Sequence, residues 1–260
     1  MTEQPRPEVT AQRRFAEQAG AFTDLDLPAR FTRIFETDLW AGPESRSGTG
    51  SGLDATATLR EALPSLLRAL GVQRLLDVPC GDFHWMRHVD LGTIDYIGGD
   101  IVEEIVLQNR RAYEREAEEG LGSRRFVRVD LTAGTLPEAD AVFCRDGLVH
   151  LSLANIPRAL ATIRASGARY LMTTTFTALA ANDDITDGDW RPLNLERAPF
   201  DFPPPIALLV ERCDEDGGAY ADKSIGVWDT ARLPPLASST DADEDPGAAD
   251  DAAGDARDAP

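Results

Sequence analysis

The chain has 260 residues, 42% of them hydrophobic, and a formal net charge of −19. That length suffices for one sizeable core, and an acidic body is a poor match to nucleic acid, whose phosphates call for clustered Lys and Arg. The N-terminus lacks a basic stretch followed by an apolar core and no apolar run could span a bilayer, so the sequence predicts a cytoplasmic protein away from membranes.

Residues 1–26 are polar and predict weak order, with a short helix at Thr10 to Gln18. From Pro28 to Trp40 the apolar residues Phe31, Ile34, Phe35 and Leu39 fall at helical spacing. The run Gly42 to Gly52, rich in Gly and Ser, reads either as a flexible linker or as a lid that closes on a ligand, and the lid is preferred. Asp54 should cap a helix through Leu70, with Gly71 ending it, so that 27–70 forms a helical lid region.

Strand and helix signals then alternate. Strands are expected near Gln73 to Val78, Ile94 to Gly98, Arg124 to Val129, Ala139 to Cys144 and Ala168 to Thr175, with helices near Phe83 to Val89, Val102 to Glu118 and from a cap at Asn155. Such alternation predicts a parallel sheet with helices on both faces. Residues 176–205 hold aromatics and prolines but no helical pattern, and an irregular run of this length inside a domain suggests function. Two more strands, Ile206 to Arg212 and Lys223 to Asp229, suit an antiparallel edge hairpin, and 237–260 lacks the apolar residues to fold. There Asp241, Asp243, Glu244, Asp245, Asp250, Asp251, Asp255 and Asp258 face Arg257 alone. Cys80, Cys144 and Cys213 show no CxxC spacing, so reduced thiols and no metal site are expected, with Cys80 and Cys144 as small pocket-wall residues.

Four expected strands finish on or beside an acid: Asp77, Asp100, Asp130 and Asp146. Each alone fits an ordinary strand-turn-helix connection. Together they gather acceptors along one sheet edge, where ligands of parallel sheets bind.

On the residues Asp77-Val78-Pro79-Cys80-Gly81-Asp82-Phe83-His84-Trp85-Met86 the sequence resembles the class I S-adenosylmethionine-dependent methyltransferases. It is more closely similar to bacterial members with Asp-x-Pro-Cys-Gly-Asp-Phe-x-Trp-Met, and the likeness runs roughly from Trp40 to Trp228. The commoner first loop is Asp-x-Gly-x-Gly-x-Gly. Here Pro79 and Phe83 replace two glycines and Gly81 alone lets backbone approach a cofactor. The resemblance implies a Rossmann-like three-layer α/β sandwich with a seven-stranded, mostly parallel sheet, S-adenosyl-L-methionine as cofactor, and a small-molecule or glycan acceptor. It implies cofactor contacts at Asp77, Pro79, Cys80, Gly81, Phe83, Asp100, Ile101, Asp130, Leu131 and Arg145, with Asp77 near the methionine amine, Asp100 on the ribose and Asp130 beside the adenine amine. The acceptor is expected against Asn182, Asp183, Trp190, Arg191 and Asn194.

His150 is the expected general base. Asp146 precedes it by four residues, so one helical turn would bring the carboxylate to the imidazole. The alternative is a hydrogen-bonded core histidine, and His84, in the cofactor loop, is the weaker candidate. Two rival functions are a non-catalytic cofactor-binding relative and a nicotinamide-dependent oxidoreductase. The second is disfavoured because a dinucleotide pyrophosphate needs a three-glycine turn on a helix N-terminus. The sequence commits to no oligomeric state and to no acceptor atom among O, N and C.

Overall fold

A computed structural model describes residues 6–235. The expected tail, 237–260, lies outside the described residues. Seven strands form one sheet in the order β3-β2-β1-β4-β5-β7-β6. In chain order they are β1 (Arg74–Asp77), β2 (Asp95–Asp100), β3 (Arg124–Arg128), β4 (Ala141–Cys144), β5 (Tyr170–Phe176), β6 (Ala207–Val210) and β7 (Lys223–Asp229). The first five run parallel, and β7 pairs antiparallel with both β5 and β6. This is the α/β sandwich with an antiparallel edge pair that the sequence predicts.

Alternate residues of the central strands feed two cores. Leu75, Ala141, Phe143, Ile225 and Val227 pack with Leu59, Leu63 and Leu67 of α3 (Ala57–Leu70) and Val106 of α4 (Glu103–Tyr113). Leu76, Val142, Cys144 and Trp228 pack on the other face with Ile156, Ala159, Leu160 and Ile163 of α5 (Asn155–Ala165). The period of two in the strands thus builds both outer layers at once.

The strand order changes direction at β1 and β4: β2 and β3 lie on one side of β1, and β4 and β5 on the other. A crevice therefore opens beyond the carboxyl ends of β1 and β4.

Several local expectations are corrected. Thr56, not Asp54, precedes α3, and its hydroxyl bonds back to the Gly52 carbonyl at 2.8 Å. Only one 3-10 turn, Met86–His88, forms where a helix from Phe83 was expected, because Phe83 takes a positive φ of 57°. α4 stops at Tyr113 because the chain turns back and Arg115 pairs with Arg124. Asn155 lies inside the first turn of α5 and gives its side-chain amide to Asp187 instead of capping. Residues 176–205 add no helix, yet they bury Leu193, Leu195, Phe200 and Phe202 against the α5 face.

Of the segment 1–26, for which weak order was expected, the structure describes residues 6–26, and these carry helix and buried aromatics. α1 (Thr10–Gln18) buries Phe15, which stacks on the buried Phe22 at 5.0 Å, and both join Ile34 of α2 (Leu27–Glu36) and Leu39 in a third cluster. Asp26 caps α2 by accepting from the Ala29 amide. Among the described residues no helix is long and apolar enough to cross a membrane, and no group of three or more His, Cys, Asp or Glu could hold a metal ion.

Candidate functional site

The turn after β1 is fixed from below by the sheet. Val78 donates to the Phe143 carbonyl and Cys80 to Gly99, so the chain stays in register until Gly81. Gly81 has a φ of +54°, and a Cβ there would run into the Ser47 hydroxyl, so the position suits glycine on two counts. Its N–H donates to Asp100 Oδ2 at 3.1 Å, while Asp100 Oδ1 accepts from Val102 at 2.9 Å. The acid at the end of β2 thereby ties the first loop to the second.

The Gly42–Gly52 run lies over this turn. Ser45 Oγ and the Arg46 N–H both donate to the Asp82 carboxylate, and the Asp82 N–H donates to Ser47 Oγ at 3.0 Å. Arg46 holds the run to the end of α2, with its guanidinium 3.8 Å from the Phe35 ring centroid and bonded to Asp38. Asp82, Ser45 and Ser47 were not among the expected site residues. Their signal was a cluster of short polar side chains opposite an Asp in a tight turn.

A cavity runs along the carboxyl ends of β1, β2 and β4 under this run. Asp77, Pro79, Cys80, Gly81, Asp100, Ile101, Asp130, Leu131 and Arg145, nine of the residues expected to contact a cofactor, line it. Phe83 does not. It is buried between Tyr96, Tyr113 and Phe126 with ring centroids 5.0–5.2 Å away, because its positive φ turns the side chain into the core. Cys144 is likewise fully buried behind the wall. Its lining is apolar at Phe31, Ile34, Ile101, Val102 and Leu131 and polar at Asp77, Asp100, Asp130 and Arg145. Asp77 accepts from Tyr96 Oη at 2.6 Å, and burial pushes its carboxyl up to about 7 despite that bond. Burial likewise raises Asp100 to about 6, with the Val102 and Gly81 amides pulling the other way.

A second, broader cavity is lined by Thr10 and Arg14 of α1, by the Gly48–Ser51 backbone, and by Phe176, Trp190, Tyr220 and Lys223. Trp40, Ser47, Ser51, Asp146 and His150 line both cavities, so the two meet at these side chains. Of the residues expected at an acceptor, only Trp190 reaches this second cavity. Asn182 instead bonds the Asn194 and Ala198 carbonyls, Asn194 bonds those of Thr177 and Leu179, and Arg191 is buried on three carbonyls, one of them that of Asp183. An irregular segment must satisfy its own backbone, and these polar side chains do that.

The expected contact from Asp146 to the His150 ring is not made. Asp146 takes a φ of 52° and a 3-10 turn follows it, so its carboxylate points to Lys223 Nζ at 2.7 Å and to Thr174 Oγ1. His150 Nδ1 pairs with the Asp189 carbonyl at 2.7 Å. A carbonyl can only accept, so Nδ1 carries the proton and Nε2 is left as the acceptor of a neutral ring. Burial lowers the imidazole to about 4, a shift the Asp189 carbonyl and Asp146 only partly oppose.

At the shared wall the half-buried Asp146 joins the buried Arg145, Glu211 and Lys223 in a set of two cations and two anions. Burial would raise the Asp146 carboxyl, but Lys223 and Arg145 outweigh it and hold it well below the usual range. Arg145 Nη2 also donates to the Gly50 carbonyl at 2.8 Å, anchoring the run above. Neither Glu211 nor Lys223 carries a sequence signal, since their partners are 66 and 77 residues away.

No family model and no curated protein matches the sequence. Solved structures do match. Human N-acetylserotonin methyltransferase in complex with SAM is 12% identical over 84% of this chain and 66% of that one, with a TM-score of 0.50. An S-adenosylmethionine-dependent methyltransferase from Mesorhizobium loti is 23% identical over 48% and 56%, with a TM-score of 0.35. The methyltransferase domain of a bacterial Hen1 is 11% identical over 68% and 100%, with a TM-score of 0.46. The chain spans just under two thirds and about half the length of the first two. At these identities the likeness establishes the fold, a Rossmann-like methyltransferase fold.

Proposed function

We propose that the protein is an S-adenosylmethionine-dependent methyltransferase acting on a small-molecule or glycan acceptor. The observation that carries this reading is the pair of cavities meeting at His150, Trp40, Ser47, Ser51 and Asp146, the first of them lined by strand-end acids. The residues fit the cofactor along its length. Asp77 suits the cationic methionine end, Asp100 the ribose hydroxyls, and Phe31, Ile34, Ile101 and Leu131 the adenine, with Asp130 at its amine edge. Bound there, the cofactor supplies an already electrophilic methyl group, so the protein's task is alignment and one proton transfer.

His150 takes that proton from the acceptor through Nε2. A neutral imidazole beside a sulfonium avoids repulsion between cations. On methyl transfer the proton released by the acceptor would come to rest on the His150 ring. The Asp146 carboxylate stands close enough to favour that charge. In this reading the second cavity holds the acceptor, with Trp190 in its wall.

The same fold could carry a nicotinamide dinucleotide, but the first loop opposes that use. It leads into a single 3-10 turn at Met86–His88, so no helix N-terminus stands where a pyrophosphate would need one. Calorimetry with S-adenosylhomocysteine and with NAD separates the two: saturable binding of the first alone supports the proposal, and binding of NAD alone overturns it. Transfer of labelled methyl groups to a host metabolite extract then distinguishes an enzyme from a non-catalytic relative.

A further inference from the structure

The segment from Asp183 to Arg191 is joined along its length to the short stretch that carries His150. Gly188 donates to the His150 carbonyl at 2.8 Å and the Arg191 N–H to Val149 at 3.2 Å. The amides of Ser152 and Leu153 donate to the carboxylates of Asp187 and Asp184, each at 2.7 Å. The Arg191 guanidinium then closes the joint. Nη1 donates to the Leu148 carbonyl at 3.0 Å, Nη2 to the Leu151 carbonyl at 2.6 Å, and Nε to the Asp183 carbonyl at 3.0 Å.

Arg191 is buried, and among the described residues it forms no ion pair. A buried cation is costly, and an apolar side chain would fill the space more cheaply, so stability alone is a poor reason for a guanidinium here. Its distinctive property is a rigid, planar fork of donors. That fork grips the carbonyls on either side of His150, one two residues before it and one just after. It also fixes the segment whose Asp189 carbonyl accepts the hydrogen bond from His150 Nδ1–H.

We infer that Arg191 is a positioning residue for His150, clamping the Asp183–Arg191 segment so that the Asp189 carbonyl holds the imidazole as its Nδ1–H tautomer with Nε2 free at the wall between the two cavities. The consequence for turnover rests on the proposed role of His150 as base. The tautomer does not. Lys at this position keeps the charge but loses the fork, and a loosened carbonyl no longer selects one ring nitrogen.

The test is 15N NMR of the imidazoles in the full chain. The protein has three histidines, so His84→Gln and His88→Gln assign the His150 signals by elimination. Wild type is expected to show a single neutral tautomer with Nδ1 protonated. Arg191→Lys is expected to give a mixture of tautomers while S-adenosylhomocysteine affinity stays within about twofold, the check that the fold survives. If Arg191→Lys fails to fold, Asp187→Asn loosens the same joint without touching the buried cation, and the same mixing is expected. A folded variant that keeps one Nδ1–H tautomer overturns the inference, whatever its turnover. Should the tautomer shift while His150→Ala retains full activity, the clamp stands and the reading of His150 as the base fails.

Discussion

The His150 imidazole lies face to face with the Trp40 indole, ring centroids 4.1 Å apart and planes at 23°. Trp40 meets Phe31 of α2 edge-on at 5.8 Å, so α2 is linked to the His150 ring through Trp40. A base held between an indole face and a backbone carbonyl has little freedom to turn. His150→Ala should therefore leave S-adenosylhomocysteine binding near wild type while lowering methyl transfer by at least ~10²-fold, the usual worth of a positioned base. Single-turnover assays with labelled cofactor measure both. Unchanged turnover would mean that alignment alone drives transfer.

Asp100 accepts from two backbone amides of the loops it joins, and in the proposed complex it also meets the ribose. Asp100→Ala should weaken cofactor binding by ~1.5–3 kcal/mol, the scale of a lost charge-assisted hydrogen bond. Asp100→Asn keeps the shape and should lose less. Calorimetry on the two variants checks this, and equal affinity in folded Asp100→Ala would remove Asp100 from the site.

A side chain at Gly81 would meet both the run above it and an unfavourable backbone angle. Gly81→Ala places a methyl group on the Ser47 hydroxyl at a left-handed backbone position. The substitution should destabilise the protein by about 1–3 kcal/mol and loosen the 42–52 run. Adding Ser47→Gly should recover the steric part and leave the backbone part. Denaturation of the single and double variants measures the coupling, which should be absent if Ser47 does not sit over Gly81 in solution.

The pH dependence expected from Asp77 has a definite sign. Its carboxyl titrates at about 7 in the fold and at about 3.9 in an unfolded chain. Between these values the folded state holds a proton that the unfolded state has released, so this group's contribution to stability falls as pH rises from about 4 to about 7. Asp100 acts in the same direction, and Asp146, whose carboxyl is lowered, in the opposite one. Asp77→Asn should flatten the decline in Tm between about pH 4 and pH 7. A cationic cofactor favours the ionised acid, so affinity for S-adenosylmethionine should rise over the upper part of this range in wild type and not in the variant. Parallel pH profiles of the two proteins would remove Asp77 from the titration.

The sequence showed its sheet and its first cavity clearly because both depend on local pattern. An apolar strand with an acid at its end identifies itself, and nine of the ten expected cofactor positions do line the cavity. The tenth, Phe83, failed on a single backbone angle that the motif does not reveal. The step from Asp146 to His150 failed for a related reason: spacing of four brings side chains together only on an α-helix, and here a left-handed residue leads into a 3-10 turn. In 182–194, polar residues among aromatics suggested a ligand, whereas a segment with neither helix nor strand uses them on its own carbonyls. The N-terminal helix was underrated because Phe15 and Phe22 are isolated among polar residues, and only α2 completes their core. Trp40, Glu211 and Lys223 reach the site by tertiary packing, which no short-range pattern encodes.

The central claim is that the methyl donor lies in the first cavity with its sulfur at the wall shared with the second. A crystal structure of the full chain with S-adenosylhomocysteine measures this directly. The account predicts adenine between Ile34, Ile101 and Leu131, ribose hydroxyls on Asp100, the methionine end at Asp77, and the sulfur facing His150 across the shared wall. A ligand that binds in the reverse sense, or outside this cavity, would contradict it.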